Sequence, residues 1–152
     1  MKGLTIRRKL IFVFTILVIV IFSMGIYSIS TLKAVNDGST FIATNSIPGI
    51  QSSGRINTMT SDFRVLELQH IIAQDKPTMD SLEQQMTAKN NEITAELSVY
   101  EKTIEDPKDR DLYNTIVSQW NSYLTIHNNV LDLSRQLKTD EAVNLMNNDS
   151  KK

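Results

Sequence analysis

The chain has 152 residues, 41% of them hydrophobic, with 16 basic and 17 acidic side chains and a net charge of −1. That length fits one domain with an appendage, and after residue 30 twelve basic residues face all seventeen acidic ones, which leaves no clustered positive face of the kind nucleic-acid binding needs. The absence of cysteine excludes disulfides, thiolate zinc sites, thiol catalysis and covalently attached c-type haem, and five glycines and three prolines are too few to punctuate an all-β fold.

The first element is a membrane span. Leu10 to Ile29 is a run of twenty residues without a charge, and fourteen of them are Leu, Ile, Val or Phe. These favour insertion by about 4 to 8 kcal/mol in total, and as a helix the run is about 30 Å long, the thickness of the hydrocarbon core. Many of its residues are β-branched and form helix poorly in water, but lipid forces every backbone group to pair internally, so the solvent overrides propensity. Lys2, Arg7, Arg8 and Lys9 precede the run and the next basic residue is Lys33, which places the N-terminus in the cytoplasm. A cleavable signal peptide competes, since Ser23-Met24-Gly25 supplies small residues, but the apolar run is too long and continues beyond that point.

After the polar stretch at Asn36-Asp37-Gly38, a helix is predicted from the three-four spacing of Ile56, Met59, Phe63, Leu66, His70 and Ala73, a seam that faces another helix. Extended backwards, the register adds Gly49 and Ser52, where neighbouring helices can approach closely, and Pro48 kinks or restarts the helix. Asp75-Lys76-Pro77 ends this segment and opens a second through a short hairpin connection. The second stripe is Met79, Leu82, Met86, Ile93, Leu97, Tyr100 and Ile104, with a polar interruption at Lys89-Asn90-Asn91 that offers water a way into the bundle.

Asp106-Pro107-Lys108-Asp109 writes a helix start: Asp as cap, Pro in the first turn, and a second acid favoured by the helix dipole. The helix that follows carries two adjoining seams. One is Leu112, Ile116, Tyr123, Ile126, Val130, Leu133 and Leu137; the other is Tyr113, Val117, Trp120, Leu124, His127 and Leu131. A stripe this wide faces two neighbours, as a bundle position requires. Thr139 or Asp140 caps a fourth bundle helix beginning with Ala142, Leu145 and Met146, and the sequence stops a few turns later. The expectation is a fragment of a longer chain, or a bundle whose gap a helix from another chain covers.

Asn45-Ser46-Ile47-Pro48-Gly49-Ile50, followed by Ser61-Asp62-Phe63-Arg64-Val65-Leu66-Glu67-Leu68-Gln69-His70, resembles the first outer helix of the four-helix-bundle sensor domain of bacterial methyl-accepting chemotaxis proteins. Trp120-Asn121-Ser122-Tyr123, and Lys138-Thr139-Asp140-Glu141-Ala142 running into Leu145-Met146, are similar to that family's third helix and the start of its fourth. The resemblance implies a homodimer in which a small molecule binds between outer helices and shifts the last helix. In the family that helix continues as a second transmembrane segment into a cytoplasmic linker and signalling hairpin, none of which this sequence reaches. The same sensor bundle also precedes histidine kinases and cyclases.

Among individual residues, Arg55 and Arg64 are the arginines of the first outer helix, and a guanidinium fork is the natural grip for a ligand carboxylate. They lie nine positions apart, about 180° around the helix, so on one chain they cannot serve one pocket, although the two sides of a dimer interface can use them separately. Arg64 is the preferred candidate because it lies in the resembling stretch beside Phe63; the bland alternative is a solvated arginine paired with Asp62 or Glu67. Trp120 and Tyr123 are either walls of a ligand pocket or packing residues. Glu67 and His70 form one Glu-x-x-His step, but a di-iron bundle needs two such steps and two further glutamates, and no glutamate stands three residues before His127. His70 and His127, both near apolar stripes, are packed or partly exposed histidines with a pH-sensing role as an open alternative.

No nucleophile elbow, phosphate loop, metalloprotease pattern or dinucleotide fingerprint occurs, so the reading includes no catalytic residues, metal or cofactor. The resulting expectation is an all-α chain: residues 1–9 cytoplasmic, 10–30 a transmembrane helix, and 31–152 an extracytoplasmic, antiparallel up-down four-helix bundle with a truncated fourth helix. It sits in a bacterial inner membrane as a dimeric sensory input module. The ligand is an amino acid, an organic acid or a solute-binding protein, and Arg64, Arg55, Phe63, Trp120 and Tyr123 are the candidate contacts. The competing class is a membrane-anchored helical interaction or structural protein without a small ligand.

Overall fold

In the computed structural model, which describes residues 5–149, the chain is all-α among the described residues and divides into two compact units after Ala43. Lys2, one of the four basic residues used to orient the membrane span, lies outside the described residues, as do the last three residues of the sequence.

The first unit holds helix α1 (Ile6–Phe41), none of whose residues is buried. Four of its hydroxyls are satisfied within the helix: Thr15, Ser23, Ser30 and Thr31 donate to the carbonyls of Ile11, Val20, Ile26 and Tyr27 at 2.8–3.1 Å. This leaves the uncharged stretch from Leu10 to Ile29 an apolar surface, and the helix is long and apolar enough to cross a membrane. Asn36-Asp37-Gly38 interrupts the hydropathy but not the helix, which runs on to Phe41.

In the region of Pro48 the helical backbone widens to a π turn at Ile42–Ser46. Proline has no N–H to return to the carbonyl four residues back, and its ring crowds that carbonyl, so a wider turn ahead of it relieves the clash. Helix α2 (Ile47–Ile72) then carries Pro48 in its first turn, where a missing N–H costs nothing.

The second unit is a bundle of α2, α3 (Lys76–Glu101), α4 (Pro107–Arg135) and α5 (Thr139–Asp149). Asp75 caps α3 by accepting from the Thr78 N–H and hydroxyl, both at 2.9 Å. Those bonds hold its carboxyl below the usual range. Asp106 caps α4 through the Lys108 N–H at 2.7 Å, so both sequence-predicted helix starts stand where expected. The main core lies between α2 and α3, where Ile56, Phe63, Met79, Leu82, Met86, Ile93 and Leu97 are buried and Leu131 of α4 joins them. A smaller core, Ile71, Val130, Ala142 and Met146, seats α5 on α2 and α4. Gly49 marks a close approach as expected: a Cβ there would stand 3.0 Å from the Thr103 hydroxyl.

Three details depart from the sequence pattern. Met59 and Leu66 are only half-buried, while Glu67 and Ile71 occupy the inner row of α2. Ile104 falls beyond the end of α3. On α4 the seam through Leu112 and Ile116 stays exposed at 54% and 37%, because α5 covers only the other end of that helix. Leu137, assigned to the same seam, instead terminates the helix.

That termination carries a prediction. Leu137 is left-handed at φ 57°, and the Lys138 N–H reaches back to the Leu133 carbonyl at 3.1 Å while the Leu137 N–H bonds Ser134 at 2.8 Å. This is the closure usually made by glycine. Because Leu137 is half exposed, Leu137→Gly removes more strain than packing, and it should stabilise the bundle by about 0.5–1 kcal/mol. A thermal midpoint that falls in this variant would contradict the strain assignment.

Candidate functional site

The half of α4 that α5 leaves uncovered faces α2 across an open groove of about 770 Å³. Its apolar wall comes from Ile56, Ile116 and Ile126 and from the rings of Tyr100, Trp120 and Tyr123, and its polar groups include Asn57, Thr60, Gln119 and Arg64. Ile126 lines the groove and also packs under α5, so the groove runs on from the seat of α5.

Of the five sequence-predicted contacts, three line this groove: Arg64, Trp120 and Tyr123. Arg64 is exposed and makes no ion pair among the described residues, with neither Asp62 nor Glu67. Arg55 lies on another side of α2, beside a shallow hollow that includes Gly54, Asp62 and Lys89. There it is engaged, donating to Glu96 at 2.7 Å and to the buried Ser52 hydroxyl at 3.2 Å. The structure therefore separates the two arginines as the helical spacing requires. Phe63 is 1% exposed and stands behind the groove, edge-on to Trp120 at 5.2 Å, Tyr123 at 6.0 Å and His127 at 4.8 Å. It backs the wall without reaching the open space.

The two groove aromatics are held rigidly. Trp120 and Tyr123 stack at 5.3 Å and 22°. The Trp120 indole N–H donates to the Asn90 amide oxygen at 3.0 Å, so the polar interruption of α3 serves as an acceptor for α4. The Tyr123 hydroxyl donates to Glu67, and burial beside that carboxylate pushes the phenol well above its usual range. Glu67 is fully buried and also receives the His127 Nδ1 proton at 2.6 Å. A carboxylate with two side-chain donors inside a bundle satisfies the rule that buried acids must be bonded, and it ties the α4 wall to α2.

Sequence reasoning set aside the Glu67–His70 step as a metal site and offered Glu67 as an alternative partner of Arg64; the structure instead gives Glu67 to Tyr123 and His127. The usable signal was spacing: Glu67 is four residues after Phe63 and three before His70, on the inner row, and Tyr123 and His127 are a four-residue donor pair on the facing helix. His70 turns to a separate set of partners one turn further along. Its Nδ1 is 2.8 Å from the Ser134 hydroxyl, and its Nε2 is 3.1 Å from Glu83 Oε1. Glu83 is clamped by Arg135 through two bonds at 2.8 and 2.9 Å, which hold its carboxyl below the usual range.

The sequence matches, over residues 3–152, the family described as the four helix bundle sensory module for signal transduction. It is 30% identical over 143 residues to a protein of Bacillus subtilis (strain 168) named "Putative sensory transducer protein YvaQ", covering 94% of this chain. The chain spans 25% of the length of that relative. No solved structure matches it.

Proposed function

Since the chain belongs to the family of four-helix-bundle sensory modules for signal transduction, we propose that it is the extracytoplasmic input end of a chemotaxis-type transducer and that it binds a small carboxylate-bearing solute, an amino acid or organic acid. Families of such modules are typically non-catalytic. The observation that carries the ligand class is Arg64, an arginine with no ion pair among the described residues, at the edge of a groove with rigid aromatic and aliphatic walls. A guanidinium fork takes a carboxylate in bidentate fashion, and the walls take an apolar body.

In this reading α1 is the first membrane span, with Arg7, Arg8 and Lys9 on the cytoplasmic side. The module works as a homodimer. Support for a dimer comes from the outer side of α2, where Ile47, Gln51, Gly54, Thr58, Ser61, Val65, Leu68 and Ile72 recur at alternating steps of four and three. Ile47, Val65, Leu68 and Ile72 are exposed, and nothing lies within 4 Å of a Cβ placed on Gly54. The ligand acts by binding one packing of the helices more tightly than another, since only differential affinity shifts such an equilibrium, and packed helices slide by about 1–2 Å between arrangements.

The test is calorimetry of the chain against a panel of amino acids and organic acids. A binder from that panel should lose about tenfold or more in affinity with Arg64→Ala, while Arg55→Ala leaves it unchanged. Equal affinity for wild type and Arg64→Ala would remove Arg64 from the site. A panel with no binder would end the small-carboxylate reading.

A further inference from the structure

His70 is wholly buried and sits where three hydrogen-bond distances converge. Nδ1 meets the Ser134 hydroxyl at 2.8 Å, the same hydroxyl meets the His70 carbonyl at 2.9 Å, and Nε2 meets Glu83 at 3.1 Å. A backbone carbonyl and an Arg-clamped carboxylate bring no protons, so three bonds require three protons from imidazole and hydroxyl. Neutral imidazole and one hydroxyl supply two. With the ring proton on Nδ1, the Nε2 lone pair faces a carboxylate. With it on Nε2, the Ser134 proton turns to Nδ1 and the His70 carbonyl keeps only its Ala73 N–H, at 3.3 Å. Only imidazolium closes all three.

We propose that the His70–Ser134–Glu83 cluster is a proton-binding site built into the bundle, and that its third proton returns the Ser134 hydroxyl to the His70 carbonyl, changing how α4 is tied to α2. The neighbouring carbonyl, of Ile71, is the one that accepts from Thr139 at 3.4 Å, and the Ile71 side chain lies in the core that seats α5. Proton occupancy is thus registered in the backbone against which α5 rests. The site is independent of Arg64 and of any solute in the groove.

The surrounding charges fix the direction. From α3, Glu83 favours the charged ring; from α4, Arg135 and His127 oppose it, and Glu67 on His70's own helix is occupied by Tyr123 and His127. Asp140 and Glu141 of α5 are exposed, with Glu141 paired to Lys138. Burial is the largest influence and holds the imidazole below its ordinary 6.5. The third bond therefore does not offset the cost of burying the charge. For a base lowered by folding, stability is complete above the unfolded value and declines as pH falls from there through the folded value. Glu83 and Glu96, held below their ordinary 4.5 by arginines, lose their contribution in a separate, more acidic window.

The experiment follows the two histidine C2 protons of the full chain in detergent by NMR, with His127→Gln for assignment, beside thermal unfolding from about pH 7.5 to about pH 5. His70 should titrate below 6.5, and Glu83→Gln should move it lower still. The wild-type midpoint should drop by several degrees across the range, and His70→Gln should flatten most of that drop. A His70 that does not titrate across this range, or that does not move in Glu83→Gln, would overturn the site, as would an equal drop in His70→Gln. If His70→Gln does not fold, the wild-type and Glu83→Gln titrations decide alone.

Discussion

Glu67→Ala should cost the bundle about 3–5 kcal/mol, enough to lower its thermal midpoint by about 15 °C or more. The substitution strands the buried His127 Nδ1–H and the half-buried Tyr123 hydroxyl, which meet on this one carboxylate, and it leaves a cavity in a fully enclosed position. Glu67→Gln separates the causes. Its carbonyl still accepts from His127, and its amide donates to the Tyr123 oxygen, which can accept, so the loss should shrink to about 1–2 kcal/mol. Glu67→Met restores the volume but not the acceptors and should stay close to the alanine variant. Chemical denaturation of the three variants checks the order; a methionine variant as stable as wild type would show that the carboxylate is not needed as an acceptor.

Phe63→Ala should cost about 3–5 kcal/mol as well, for a different reason. Phe63 is enclosed by three edge-on aromatic partners, each such pair adding about 0.5–1.5 kcal/mol to the area term. Losing the ring also removes the backing of the groove wall. The chain has one tryptophan, and Trp120 is in that wall, so its emission reports the site directly. Phe63→Ala should shift the emission to the red as water reaches the indole, and Phe63→Leu should do so less. An unchanged spectrum in a folded Phe63→Ala variant would place Trp120 elsewhere.

The main helices could be read from the sequence because their signals are local. Asp75 and Asp106 act through the N–H groups two or three residues on, and the stripe from Met79 to Leu97 repeats with the helical period, so neither needs knowledge of the rest of the fold. The long apolar run of α1 is legible for the same reason. The inner polar row was not. Hydropathy assigns Leu66 to the core and Glu67 to solvent, yet neighbours on a helix are only about 100° apart and a small rotation reverses them while Phe63 and His70 stay inside; the energy that fixes the rotation comes from Tyr123 and His127, 56 and 60 residues away. The same limit applied to the groove. Arg64, Trp120 and Tyr123 were singled out by chemistry and share one groove, but whether α4 turns their side toward α2 is a property of the bundle. Phe63 and Arg55 share the helix and not the groove, because one points into the core and the other toward Glu96.

The brevity of the turns has a kinetic consequence. Ala73 to Asp75 joins α2 to α3, and Lys102 to Asp106 joins α3 to α4, so most helix pairs that touch are neighbours in sequence. Closing such short loops costs little entropy, and proteins dominated by local contacts fold in microseconds to milliseconds. The α2–α3 hairpin already contains most of the main core, so during synthesis it can form as soon as residue 101 is clear, giving α4 a finished surface on which to settle. The Glu67 bonds, which span 56 and 60 residues, need α4 in place before they can close. Substitutions there should accelerate unfolding more than they slow folding.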